Sequence, residues 1–388
     1  MTIKGTFIDQ LHTSFPGLRN APLENLVADQ LISPFNIELP KKVLQQAQAV
    51  VHSLFQLRQK KSYLDHYHAE LTELGLKDPG NKSILMSYDF HINDDGDLKL
   101  IEINTNASFL ALGTEMYKMK QLPMPVTDFS MNEIRENILA EMRLQGKSTA
   151  SNFSVAITDD KPSEQRLYAE FLVYQELFKS WGWDSHIVDF RELFAGRKFD
   201  FIYNRYTDFF LTAPESQTLR QKFLAHEVCL SPNPFEYFLL ASKQRLTDWT
   251  VPGFLESMGI SGEELALLRT VIPATHSVSA ANADQIWAER KKLFMKPKNA
   301  FGSKQSYKGS SISRKAFEEL IHQDTVAQEY VPAPERVFET PTGPQSFKFD
   351  LRCYAYQDRM HFIVARIYQG QVTNLRTPLG GFTAVTFI

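Results

Sequence analysis

Glu102 and Asn104 lie two apart in Leu98-Lys99-Leu100-Ile101-Glu102-Ile103-Asn104, where the run of aliphatic residues predicts a β-strand. Strand geometry sends both polar side chains to the same face. A carboxylate beside an amide oxygen at the end of an apolar strand is half of a hard-cation site. Mg²⁺ takes oxygen ligands and is commonly held by one or two carboxylates plus substrate phosphates. A solvated edge strand would accommodate the same two residues, so the pair decides nothing alone.

Far downstream, Lys296-Pro297 closes a second apolar run, Leu293-Phe294-Met295, and the loop FGSKQSYKGSS follows. A lysine at a strand end facing a Gly/Ser loop suits a polyphosphate, because backbone N–H groups and ammonium ions neutralise the anion together. The GxxxxGK[ST] spacing of a Walker A loop is missing. A surface loop with incidental lysines would read the same way. Beyond it, Val326-Ala327-Gln328-Glu329-Tyr330-Val331 runs into Pro332 and Pro334. A strand that bends away at prolines leaves backbone groups able to read an adenine edge, although an ordinary core strand has the same composition. Asp350-Leu351-Arg352, Ala365-Arg366, Asn374-Leu375-Arg376 and Gly380-Gly381 complete the set of candidates.

The elements that must position these residues follow from periodicity. From about 40 to 76 the pattern is helical, and 83–90 followed by the turn Asn93-Asp94-Asp95-Gly96-Asp97 makes a hairpin with the Glu102 strand. A helix is predicted around 128–143, then a linker-like Gln145-Gly146-Lys147-Ser148-Thr149. Strands at 153–158, 185–189 and 199–204 with a helix over 163–181 predict a small parallel α/β unit. After 235 come a helix over 236–249, strands at 293–296 and 325–330, a helix over 314–322 and two long strands at 347–357 and 360–368. These imply an α/β (α+β) fold in three segments, 1–148, 149–235 and 236–388.

Bulk properties narrow the function classes. With 388 residues, 43% hydrophobic and 22% charged, the chain is an ordinary multi-lobed globular protein. A net charge of −3 gives no reason to expect nucleic acid or an anionic membrane as partner. Cys229 and Cys353 make neither a disulfide framework nor a metal motif. No apolar run reaches spanning length and no signal-peptide core opens the sequence, so a cytoplasmic protein is expected. His66 and His68 have no convincing ligand spacing and read as solvated.

Taken in order, these blocks resemble an ATP-grasp ligase. In most of that superfamily the Glu-x-Asn follows the lysine strand; here it precedes it, which resembles the circularly permuted branch typified by eukaryotic-type glutathione synthetase. Ile101–Phe109 resembles that family's metal and substrate strand, including Ala107 and Ser108. Tyr88-Asp89-Phe90 resembles its second acidic metal position, Tyr203-Asn204-Arg205 its substrate-binding arginine strand, and Ser231-Pro232 with Ala241-Ser242-Lys243 its second phosphate-contacting lysine.

The resemblance implies ATP and Mg²⁺, an acyl-phosphate intermediate, and small-molecule or peptide carboxylate and amine substrates, with γ-glutamylcysteine plus glycine as the model pair. It implies metal at Asp89, Glu102 and Asn104. Nucleotide falls to Lys243, Lys296, Gly302, Ser303, Gln328, Glu329, Tyr330, Val331 and Asp350. Arg205, Arg352 and Arg376 take the carboxylate or transferring phosphoryl group, with Ser108, Gly380 and Gly381 beside the substrate. It also implies a homodimer, and a small parallel α/β substrate domain inserted into a permuted ATP-grasp core.

Two positions depart from the family. Lys298-Asn299-Ala300 has no acid where glutathione synthetases carry a metal-binding glutamate, and Pro378 stands where they place a lysine. A ligase for a different peptide, protein or polyamine acceptor is a second reading; a nucleotide-binding regulatory protein without catalysis is a third.

Overall fold

The computed structural model describes residues 2–126, 129–149, 153–298 and 306–388. Its centre is a six-stranded antiparallel sheet built from both ends of the sequence. Gly381–Thr383, Arg359–Tyr368, Gly343–Tyr356, Met86–Ile92 and Leu98–Asn104 lie side by side, and Glu335–Thr340 pairs with Gly343–Tyr356. The sequence of the long strand explains how the sheet sits. Phe349, Leu351, Cys353 and Ala355 alternate onto one face and are buried in the same core as Val43, Ala47, Val50 and Leu54 of the helix Lys41–Gln59. The other face carries Asp350 and Arg352, then Tyr354 and Tyr356, the tyrosines sealed in a second core with the helix Leu110–Met119. One half of that face is therefore packed and the other is left polar.

The predicted α/β unit is a four-stranded parallel sheet in the order Asp184–Asp189, Ser154–Asp159, Phe201–Asn204, Cys229–Ser231. Its strand order reverses at Ser154–Asp159, and crevices outside the carboxyl ends of such sheets take ligands. The expected helix over 163–181 starts late, at Tyr168, because residues 162–164 form a short 3₁₀ turn.

A third sheet, Tyr307–Lys308, Leu293–Pro297, Thr325–Glu329 and Thr275–Val278, is antiparallel. Met295 and Ala327 share a core with Ile286, Phe317 and Leu320 of the helices Ala283–Glu289 and Arg314–Ile321. Alternation then sends Phe294, Lys296 and Gln328 to the opposite face.

The expected continuous helix over 236–249 is interrupted. Tyr237–Ala241 is a turn of π-helix closed by the Ser242 N–H on the Tyr237 carbonyl, and an α-helix restarts at Lys243–Thr250. Wide turns of this kind occur often at functional sites because they re-aim side chains. Among the described residues no helix is long and apolar enough to cross a membrane.

Candidate active site

A cavity of about 750 Å³ lies between the polar half of the central sheet, the inner face of the lysine sheet and the carboxyl end of the parallel sheet. It takes side chains from every major segment of the chain, among them Glu102, Asp159, Arg205, Lys243, Lys296 and Arg366.

Register places its acidic floor. Asp89 is opposite Glu102 on one side and opposite Arg352 on the other, while Ser87 is opposite Asn104. The pairing slips between Asp89 and Phe90, which leaves Ile101 as an extra residue on the outer strand, and its carbonyl accepts Lys296 Nζ at 3.1 Å. Asn104 Nδ2 donates to Glu102 Oε1 at 3.4 Å, so the pair read from sequence is in contact. Among the described residues Glu102 has no ion pair, and Asn104 is its hydrogen-bond partner.

Asp89 is different. Oδ1 accepts Arg352 Nε at 3.0 Å and Ser87 Oγ at 3.2 Å; Oδ2 accepts Arg352 Nη2 at 2.7 Å and Arg366 Nη2 at 2.9 Å. Burial alone would raise its pKa, but the two guanidinium groups overcome that and hold the carboxyl well below its usual range. Arg366 Nε also donates to Asp350 Oδ1 at 2.7 Å, and Asp350 Oδ2 accepts the Thr373 hydroxyl. Sequence alone left the direction of Arg366 open; its register opposite Asp350 aims it into the cavity.

Glu102 and Asn104 therefore offer Mg²⁺ a carboxylate and an amide oxygen, and phosphate oxygens and water would complete the shell. Asp89 has a donor on each of its four lone-pair directions and fits that role only by giving up an arginine. Among the described residues no group of three or more His, Cys, Asp or Glu side chains is placed to hold a metal. Gly302 and Ser303, like Asn299 and Ala300, lie outside the described residues.

The cationic wall faces this floor. Lys296 Nζ also donates to Gln328 Oε1 at 3.0 Å, and burial pulls its pKa down to about 8 against the opposing pull of Glu102. Burial lowers the Lys243 pKa likewise, with Glu102 again opposing. The Gln328 amide is engaged on its oxygen side only: its Nε2 is buried and has no partner among the described residues. At the hinge, the Tyr330 N–H is taken by the Lys292 carbonyl and the Val331 carbonyl by His91 Nδ1 at 2.8 Å. Glu329, Tyr330 and Val331 all line the cavity.

At the far end, Arg205 Nη1 donates to the Asn106 carbonyl and, at 2.8 Å, to the Ala107 carbonyl, while Asn106 Nδ2 donates back to the Arg205 carbonyl at 3.1 Å. Tyr354 Oη donates to the Ser108 carbonyl at 2.5 Å, and buried Glu170 accepts the Phe109 and Ala111 N–H groups at 2.7 and 3.1 Å. The loop after Asn104 is thus clamped, with Ser108 on the cavity wall. Arg205 holds this loop with Nη1, and its Nε is buried without a partner among the described residues.

Asp159, at the carboxyl end of its strand, also lines the cavity. Its Oδ1 accepts the Asp160 N–H at 2.7 Å, and burial raises its pKa to about 6 against the pull of Arg205. Sequence reading left Arg366 open and missed Asp159 and His91 as site residues; an aspartate closing a strand before a helix was the available signal for Asp159. Arg376 stands apart: it is exposed and does not line the cavity. Gly380 and Gly381 are buried outside it. Gly381, at φ +115°, lies so close to the Gln30 and Leu31 carbonyls that a Cβ would collide with them, so packing accounts for it.

Two solved structures resemble this chain at low identity. A provisionally assigned gamma-glutamylcysteine synthetase from Methylobacillus flagellatus KT aligns at 10% identity over 85% of each chain, with a TM-score of 0.44. The ATP-grasp ligase PsnB, complexed with minimal precursor, Mg and ADP, aligns at 12% identity over 60% of this chain and 88% of its own, with a TM-score of 0.26. Neither a protein-family model nor a curated protein sequence matches the chain. At such TM-scores the two likenesses carry no inference about activity.

Proposed function

We propose that this chain is an ATP-dependent carboxylate–amine ligase with a circularly permuted ATP-grasp fold. The observation that carries the reading is the meeting, in one cavity, of the buried Lys296, the half-buried Lys243, the Glu102–Asn104 carboxylate–amide pair and the segment Gln328 to Val331, drawn from opposite ends of the sequence. Lys243 and Lys296 would bind the α- and β-phosphates, Gln328 to Val331 the base, and Asp350 the ribose. Glu102 and Asn104 would hold Mg²⁺, which when bound neutralises charge developing on the phosphates.

In that chemistry a substrate carboxylate oxygen attacks the γ-phosphorus and the bond to the β-phosphate oxygen breaks, releasing ADP. The amine then attacks the acyl carbon, the C–O bond to phosphate breaks, and inorganic phosphate leaves as the nitrogen gives up a proton. An acyl phosphate must be kept from water, and the enclosure by three sheets supports that requirement. Asp159 would face a cationic group of the substrate. A glutathione-synthetase-like pair, γ-glutamylcysteine and glycine, is the first to test; a peptide, protein or polyamine acceptor is the next.

Hydroxylamine traps acyl phosphates as hydroxamates. With Mg²⁺, ATP and a panel of amino-acid and peptide carboxylates, the expected products are a hydroxamate and ADP. AMP with pyrophosphate would place the protein in the adenylate-forming class and reject this reading.

A further inference from the structure

The carboxylate Asp89 was expected to bind metal, yet every acceptor direction it has is occupied, three of the four by arginine N–H groups. Arg352 and Arg366 are each pinned along the Nε/Nη2 side, Arg352 by Asp89 alone and Arg366 by Asp350 and Asp89. Neither Nη1 has a partner among the described residues, and both side chains line the cavity. A guanidinium carries five N–H donors, so each arginine keeps donors to spare at its free end. The strand register fixes the arrangement, because Arg352 is opposite Asp89 and Arg366 opposite Asp350 in adjacent pairs of one sheet.

We propose that Arg352 and Arg366, locked by Asp89, form the seat for the substrate carboxylate, and that Asp89 is a positioning residue and leaves the metal to Glu102 and Asn104. The assignment rests on the ligase reading for its substrate. Its chemistry is local: a planar fork matches a carboxylate better than an ammonium does, and anchoring both forks in advance lowers the entropy lost on binding.

The test uses two probes that require no known substrate. Malonate and inorganic phosphate are titrated separately into wild type, Arg366→Met and Asp89→Asn, and Mn²⁺ is titrated in the presence of ADP into the same proteins and Glu102→Gln. Malonate is expected to bind wild type and to weaken about tenfold or more in both seat variants, the loss of a charge-assisted hydrogen bond. Mn²⁺–ADP affinity is expected to stay near wild type in Asp89→Asn and to collapse in Glu102→Gln, a split that general unfolding would not produce. Loss of Mn²⁺ in Asp89→Asn would return Asp89 to the metal site. Phosphate binding without malonate binding, or no dependence on Arg366, would overturn the carboxylate seat. Absence of Mn²⁺–ADP binding in wild type would count against the ligase reading instead, and the malonate result would still decide the seat.

Discussion

Asp89 and Glu102 are opposite one another on neighbouring strands of one sheet, yet among the described residues only Asp89 is bound by arginines. Two carboxylates that look alike in sequence are therefore divided in role by what stands across the next strand. Arg352 opposes Asp89, while Glu102 sits on the outer strand with Asn104 and the approaching lysines as neighbours.

Glu102→Gln removes the carboxylate and keeps its shape. Turnover is expected to fall on the order of 10²-fold or more, with an unfolding curve close to wild type. Activity measured against Mg²⁺ concentration checks it, since partial recovery at high Mg²⁺ marks a lost ligand.

Lys296→Met leaves the Ile101 carbonyl and Gln328 without their donor and removes a cation from the nucleotide wall. Nucleotide affinity is expected to weaken by roughly 10- to 100-fold, measured by calorimetry with ADP.

Asp159 gives a pH signature. Its folded pKa of about 6 lies above the ordinary 3.8, so the folded state binds the proton more tightly. Its contribution to stability is present below pH 3.8 and is lost as pH rises through about 6. Asp159→Asn is expected to stabilise the protein by about 2–3 kcal/mol at neutral pH and by much less near pH 4. Urea unfolding at the two pH values checks the difference.

Lys120 holds the end of the chain in place. Its Nζ donates to the Ser33 and Phe35 carbonyls at 2.8 and 2.6 Å, to Asn36 Oδ1 at 2.8 Å and to Thr383 Oγ1 at 3.0 Å. Thr383 belongs to the strand that pairs with the Arg366 strand. Lys120→Met would strand several oxygens and is expected to cost about 2–4 kcal/mol, read from the unfolding midpoint.

The strands of the site were legible because alternation is a local signal, as in Phe349 to Ala355. Arg366 was not, because its direction depends on the register with Asp350, which no single segment contains. Arg376 is the opposite case: the local motif Asn-Leu-Arg lies on a turn where Asn374 caps the backbone, and the arginine is exposed. The π turn before Lys243 was invisible because Phe238, Leu239 and Leu240 satisfy an ordinary helical pattern equally well.

The central claim is tested most directly by following ADP release from ATP and Mg²⁺ while carboxylates and amines are added singly and together. The expected result is ADP in proportion to the ligated product, requiring both substrates and abolished in Glu102→Gln. ATP bound without turnover under every combination, or AMP as the product, would contradict it.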